Sequence, residues 1–222
     1  MARKRDFVAE IQRIKDGLPQ GQHRYYLVTE RSVSIASAGL YVLNKVKDKA
    51  LKEELYRYFP TALVACIQAY YKLAVEDLIN HGEPFSTNAK KLSLIETQLT
   101  VEDVLNMDKK VTPAQLIAHL LNFNSMSDID KHMTNLIGEG YLKKLKKTKF
   151  AENPFERSSL LVTMEEYDKN VFQYLDGLFK LRHIYCHEIS EKQKVTANML
   201  VAMVVNVWSF FNASNYLMGQ VE

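Results

Sequence analysis

Residues 178–190 read LFKLRHIYCHEIS. They close an amphipathic pattern that begins near Thr163, and reading that pattern as one long helix decides the fold class. Tyr167, Val171, Tyr174, Leu175 and Leu178 recur at spacings of three and four, the period of one helix face. Arg182 and Tyr185 continue this apolar stripe, so a cation points where a core side chain is expected. Arginine almost never enters a core without a partner. Either a carboxylate waits there, or the face lines a site or an interface.

Working outward, Thr163 and Glu166 form a capping box that starts the helix, which is expected to run to Glu188. ISEKQK (189–194) is a polar turn, and an uncharged helix from Thr196 to about Met218 follows, with Gly219 as its stop. So short a connection makes these two helices antiparallel neighbours. Upstream, Pro60 is expected to open a strong helix over 61–81 with Leu63, Ile67, Tyr70, Tyr71, Ala74 and Leu78 inward and Gly82 as the stop. A fourth helix is expected over 29–47, with Val33, Ile35, Leu40, Val42 and Leu43 as its apolar positions. Arg3–Ile14 is a short amphipathic surface helix, and the charged run 45–54 is a solvated helix end or turn. Between 83 and 161 the patterns shorten. Thr112, Pro113 and Gln115 cap one helix, Ser127 or Asp128 starts another that Gly138 and Gly140 close, and YLKKLKKTK (141–149) follows. The fold class is all-α, an antiparallel helical bundle with a helical insert between core helices.

The chain has 222 residues, enough for one domain with a substantial buried centre. Charged residues make up 25% and apolar ones 47%, values that suggest neither disorder nor a fibrous repeat. Only eight glycines and five prolines punctuate the chain, which favours long helices over short strands. The net charge of +3 and a pI near 8.7 are compatible with a nucleic-acid partner without advertising one. Two distant cysteines, Cys66 and Cys186, and a charged stretch over 1–16 lead to the expectation of a reduced, cytoplasmic protein. The uncharged stretch 195–221 is the one membrane candidate, but Asn198, Asn206, Asn212, Ser214 and Asn215 interrupt it. A core or subunit-interface helix is the expectation, with no membrane.

Three kinds of chemistry compete at 182–188. His183 and His187 stand four apart, the spacing at which two imidazoles share one zinc ion, but HExxH and HxxEH are both missing and no third ligand is evident. Cys186 lies beside His187, yet adjacent helical residues point about 100° apart, so no base is oriented towards the thiol. No metal and no cofactor is therefore expected. Arg182 with His187 is the third option. A guanidinium holds phosphate bidentately, and a neutral imidazole accepts a proton from a 2′-hydroxyl, which suffices to cleave RNA without metal. On a straight helix the two are separated by about 140° around the axis. They converge only if the helix frays near His187, or if two copies pool their pairs across a two-fold axis. His183, Glu188 and Tyr185 are candidate supporting residues. Lys143, Lys144, Lys146, Lys147 and Lys149 are candidate contacts to RNA phosphates.

LRHIYCHE resembles the signature of HEPN domains, an arginine and a polar residue followed after a short interval by histidine, written R-x4-6-H. Arg182 matches the arginine, His183 the polar position and His187 the histidine. The resemblance covers the core helices, roughly 60–82 and 163–218, within a single domain that carries an N-terminal helical extension (1–58) and the insert (83–161). It implies a metal-independent endoribonuclease that dimerises through the 164–188 helix and cuts RNA at a composite site. It also implies a toxin or antiviral-defence effector, with an antitoxin or defence-system partner. Relatives silenced by nucleotidylation carry a tyrosine two residues after the histidine; here that position is Ile189. Two other readings compete: a non-catalytic helical RNA-binding or protein-interaction module, and a zinc-dependent hydrolase.

Overall fold

The computed structural model describes residues 6–19, 22–92, 111–138, 140–152, 158–187 and 195–221. Among them the chain is all-α apart from one two-stranded ribbon. The helices are α1 (Phe7–Asp16), α2 (Arg24–Lys45), α3 (Lys49–His81), α4 (Phe85–Asn88), α5 (Pro113–Leu120), α6 (Met126–Ile137), α7 (Tyr141–Lys147), α8 (Met164–Tyr167), α9 (Val171–His187) and α10 (Ala197–Val221). A 3-10 turn covers Ala89–Lys91, and β1 (Phe150–Ala151) pairs antiparallel with β2 (Leu161–Val162), Phe150 opposite Val162.

Helix α3 is the centre, packed against α2, α5, α9 and α10. It does not start at Pro60. Asp48 caps it, its carboxylate accepting the Leu51 N–H at 2.8 Å, and the helix carries Pro60 in its interior. An interior proline costs about 3 kcal/mol because it has no N–H to donate and crowds the preceding turn. Tyr56, Phe59 and Pro60 are all buried, and burying each large apolar side chain returns roughly 1.5–3 kcal/mol. Packing therefore carries the helix through the proline.

The phase of α2 also differs from expectation. Ile35 and Val42 are buried, but Val33, Leu40 and Leu43 face outward. The inward stripe is Arg24, Val28, Ser32, Ile35, Gly39 and Val42, in which small residues admit close neighbours. A Cβ at Gly39 would lie 2.5 Å from Leu200 Cδ2, so glycine sets how closely α10 approaches. Trp208 Nε1 donates to Ser32 Oγ at 2.7 Å across the same contact.

The insert shares the main core. Met126, Ile129, Met133, Leu136, Tyr141, Leu145 and Phe150 belong to one buried cluster with the side chains of α3, α9 and α10. Tyr71 lies at the junction, its hydroxyl 3.0 Å from that of Tyr141 and 2.8 Å from Ser214 Oγ. Complete burial, with the neighbouring Tyr141 and Tyr70, pushes its hydroxyl well above the usual phenol range, and the bond to Ser214 partly opposes this. Helix α6 starts two or three residues earlier than expected, with Ser125 as cap, and ends at Gly138 in the left-handed conformation (φ 82°). Helix α1 does not stay a bare surface helix. Ile11 packs against Val111, Leu116 and Leu120 as a second small cluster, and Glu10 meets His119 at 3.1 Å.

The expected long helix from Thr163 is two helices. The capping box at Thr163 and Glu166 forms with both hydrogen bonds, but α8 ends after one turn. Asp168 is extended (φ −158°, ψ 114°), and its carboxylate accepts the Asn170 N–H at 2.8 Å. That side-chain bond competes with helix continuation, and α9 begins afresh at Val171. Helix α10 runs past Gly219 to Val221. It is the one helix among the described residues long and apolar enough to cross a membrane, yet 61% of its most apolar window is buried in the fold. Several polar groups along it find partners inside, although Asn206 Oδ1 is buried without one among the described residues. Asn206 donates to Ala202 O, Ser209 to Val205 O, and Asn212 accepts from the Tyr25 hydroxyl.

Candidate active site

The last turns of α9 place the motif. Val171, Leu175, Leu178, Phe179 and Leu181 are buried, while Tyr174, expected on the inward stripe, sits at its margin and is 46% exposed. Arg182 continues the buried stripe at its edge, half-buried, and makes no hydrogen bond or ion pair with any described residue. Among the described residues no carboxylate waits for it there. Tyr185, one turn further on the same side, is half-buried against the core. Burial raises its hydroxyl above the usual phenol range, and the charge of Arg57 on α3 partly offsets this. Tyr185 is thus a packing residue that brings Arg57 to the neighbourhood of the motif.

His183 and His187 are exposed on the other side of the helix, their ring centroids 4.9 Å apart. Cys186 is an exposed free thiol between them in sequence. Among the described residues no group of three or more His, Cys, Asp or Glu is placed to hold a metal ion. Glu188 lies outside the described residues. Helix α9 remains α-helical through His187, which leaves no fray to swing the imidazole towards Arg182. Within one chain the guanidinium and the imidazole of the motif therefore point about 140° apart.

The lysine run is sorted by α7. Lys143, Lys146 and Lys147 are exposed, Lys144 is half-buried, and Lys149 is exposed beyond the helix end, where its charge acts on the Glu166 carboxylate. Lys146 Nζ stands 5.1 Å from the centroid of the Phe172 ring, at the start of α9. Fifteen residues separate Phe172 from His187, about 22 Å of helix. Lys146 of α7 thus sits beside the start of α9, and the motif histidines lie at its far end.

Sequence reasoning passed over Arg57, which α3 brings close enough for its charge to act on Tyr185. Arg57 pairs with Glu54 at 3.0 Å, and Arg31 reaches the exposed Tyr58 hydroxyl at 3.4 Å. Glu54, Arg57 and Tyr58 lie in or just after a charged run read as solvated, so only folding reveals them. Two open cavities, of about 520 Å³ beside the Arg24–Asp77 ion pair (2.5 Å) and about 630 Å³ at the break between α8 and α9, are lined by neither Arg182 nor His187. No protein-family profile, no curated protein and no solved structure matches the chain.

Proposed function

We propose that this protein is a metal-independent endoribonuclease of the HEPN kind, acting in the cytoplasm as a homodimer through α9. The observation that carries this reading is Arg182, a half-buried arginine with no carboxylate partner among the described residues, on the same helix end as an exposed histidine. Desolvating a guanidinium without a partner is costly, and an anion arriving with the substrate offsets that cost.

His187 acts as the base, taking the proton of a ribose 2′-hydroxyl. The 2′-oxygen attacks the adjacent phosphorus, the bond from phosphorus to the 5′-oxygen breaks, and a proton donor delivers a proton to that leaving oxygen. The products are a 2′,3′-cyclic phosphate and a 5′-hydroxyl. Arg182 holds the non-bridging oxygens and neutralises the charge that builds on them. Because one chain turns its Arg182 away from its own His187, the arginine at each site comes from the second copy. A nuclease of this kind is toxic in its own cell, which fits a toxin or antiviral-defence effector restrained by an antitoxin or a defence-system partner.

The test is cleavage of mixed RNA in EDTA. Wild type cuts, and His187→Ala loses on the order of 10²-fold or more of the rate. Equal cutting by the variant overturns the assignment. The divergence of Arg182 and His187 within one chain favours a second reading, a non-catalytic RNA-binding module, which salt-sensitive binding without products would support.

A further inference from the structure

Helix α9 presents a second feature besides the motif. Phe172, Asp176, Lys180, His183 and His187 recur at spacings of four, four, three and four, and so share one flank. Asp176, Lys180, His183 and His187 are all exposed, and Phe172, half-buried at the stripe's start, lies under Lys146 of α7. Lys143, one turn before Lys146, is exposed on the same side of α7. Among the described residues of this flank of α9, Asp176 is the one acid. It stands four residues before Lys180, whose positive charge on the same flank partly offsets it.

We infer that this flank is the track of a single RNA strand, entering over Lys143 and Lys146, passing Lys180 and ending at the cut made at His187. The inference rests on the nuclease reading for the position of the cut, not for the track itself. Three features of the flank and of the reaction point to a single strand. The cations form a line one helix wide, which follows one backbone and does not embrace a duplex. The 2′-oxygen must come in line with the leaving 5′-oxygen, which a strand held in an A-form duplex does not allow. The ring of Phe172 beneath a lysine supplies the pairing of aromatic face and cation on which unpaired nucleotides settle. With about 22 Å between Phe172 and His187, and about 3.4 Å per stacked nucleotide, the track holds at most about six nucleotides.

The test separates binding from cutting. Fluorescence anisotropy with the full-length His187→Ala chain measures affinity for labelled RNA of three and of twelve nucleotides across a salt series, and wild type is assayed for cleavage of both. Combined replacement of Lys143, Lys146 and Lys180 by Gln is expected to weaken twelve-nucleotide binding at low salt by more than tenfold. It also flattens the logarithmic salt slope by about 2, at roughly 0.7 for each lost phosphate contact. Binding of the three-nucleotide RNA changes less than threefold. Asp176→Lys is expected to tighten the longer RNA several-fold, a gain that misfolding cannot produce. In cutting, the lysine replacements raise KM and leave kcat within a factor of two. An unchanged salt slope, or a twelve-base-pair duplex that competes as well as the single strand, overturns the track. Absence of cleavage by wild type with the slope still flattened overturns the nuclease reading and leaves the track standing.

Discussion

His132 illustrates how one buried side chain sets the pH response. It is 5% exposed, packs edge-on against Phe123, and its Nδ1 has no hydrogen-bond partner among the described residues. Burial pushes its pKa below the usual histidine value, and the charge of Asp128 only partly opposes this. In the unfolded chain the ring titrates near 6.5. As pH falls below about 6.5 the unfolded state takes up a proton that the folded state refuses, so stability drops until the lowered folded pKa is passed. The contribution is complete above the unfolded value. Urea midpoints at pH 7.5, 6.5 and 5.5 should show the wild-type midpoint falling between the last two, and His132→Gln should fall less. A parallel fall in both proteins places the acid sensitivity elsewhere. At this same scale the motif is plain: Arg182, His183 and His187 are readable as a pattern, while the lack of an acid beside Arg182 among the described residues emerges only when its neighbours are in place.

Helices meet where small residues allow it, and the clearest case is α2 against α10. Gly39→Ala forces Leu200 to move and is expected to cost about 1–3 kcal/mol as overpacking, while Leu200→Ala costs about 2–5 kcal/mol as a cavity. Because the new methyl group occupies part of that cavity, the double variant should lose less than the sum of the two by at least 0.5 kcal/mol. Chemical denaturation of the four proteins gives the cycle, and simple additivity would show that the two positions do not share space. The break between α8 and α9 is the element that sequence periodicity misreads. YDKN at 167–170 carries turn-forming residues, and Asp168 bonding the Asn170 N–H is the signal that was available there. The apolar stripe continues across the break, so periodicity alone reads one helix.

The whole molecule is held by a core that the insert enters. Tyr71 of α3, Tyr141 of α7 and Ser214 of α10 meet through their hydroxyls in full burial, which ties the insert, the centre and the last helix together. One cooperative transition is the expected result: fluorescence of the single tryptophan, Trp208 on α10, should follow the same denaturation curve as far-UV circular dichroism. Separate curves would make the insert an independently unfolding unit. The sequence by itself determined that the chain is helical, where most helix starts and stops lie, and which three residues form the motif, because periodicity and caps act over a few neighbouring residues. Only the tertiary structure decided the rest. It carried α3 through Pro60, turned Val33 and Leu40 of α2 outward, and ran the lysine helix to the far end of α9 from the motif. It also kept α9 regular to His187, which faces Arg182 and His187 apart. Each of these depends on which distant side chains compete for the same buried space, and that competition has no expression in local spacing.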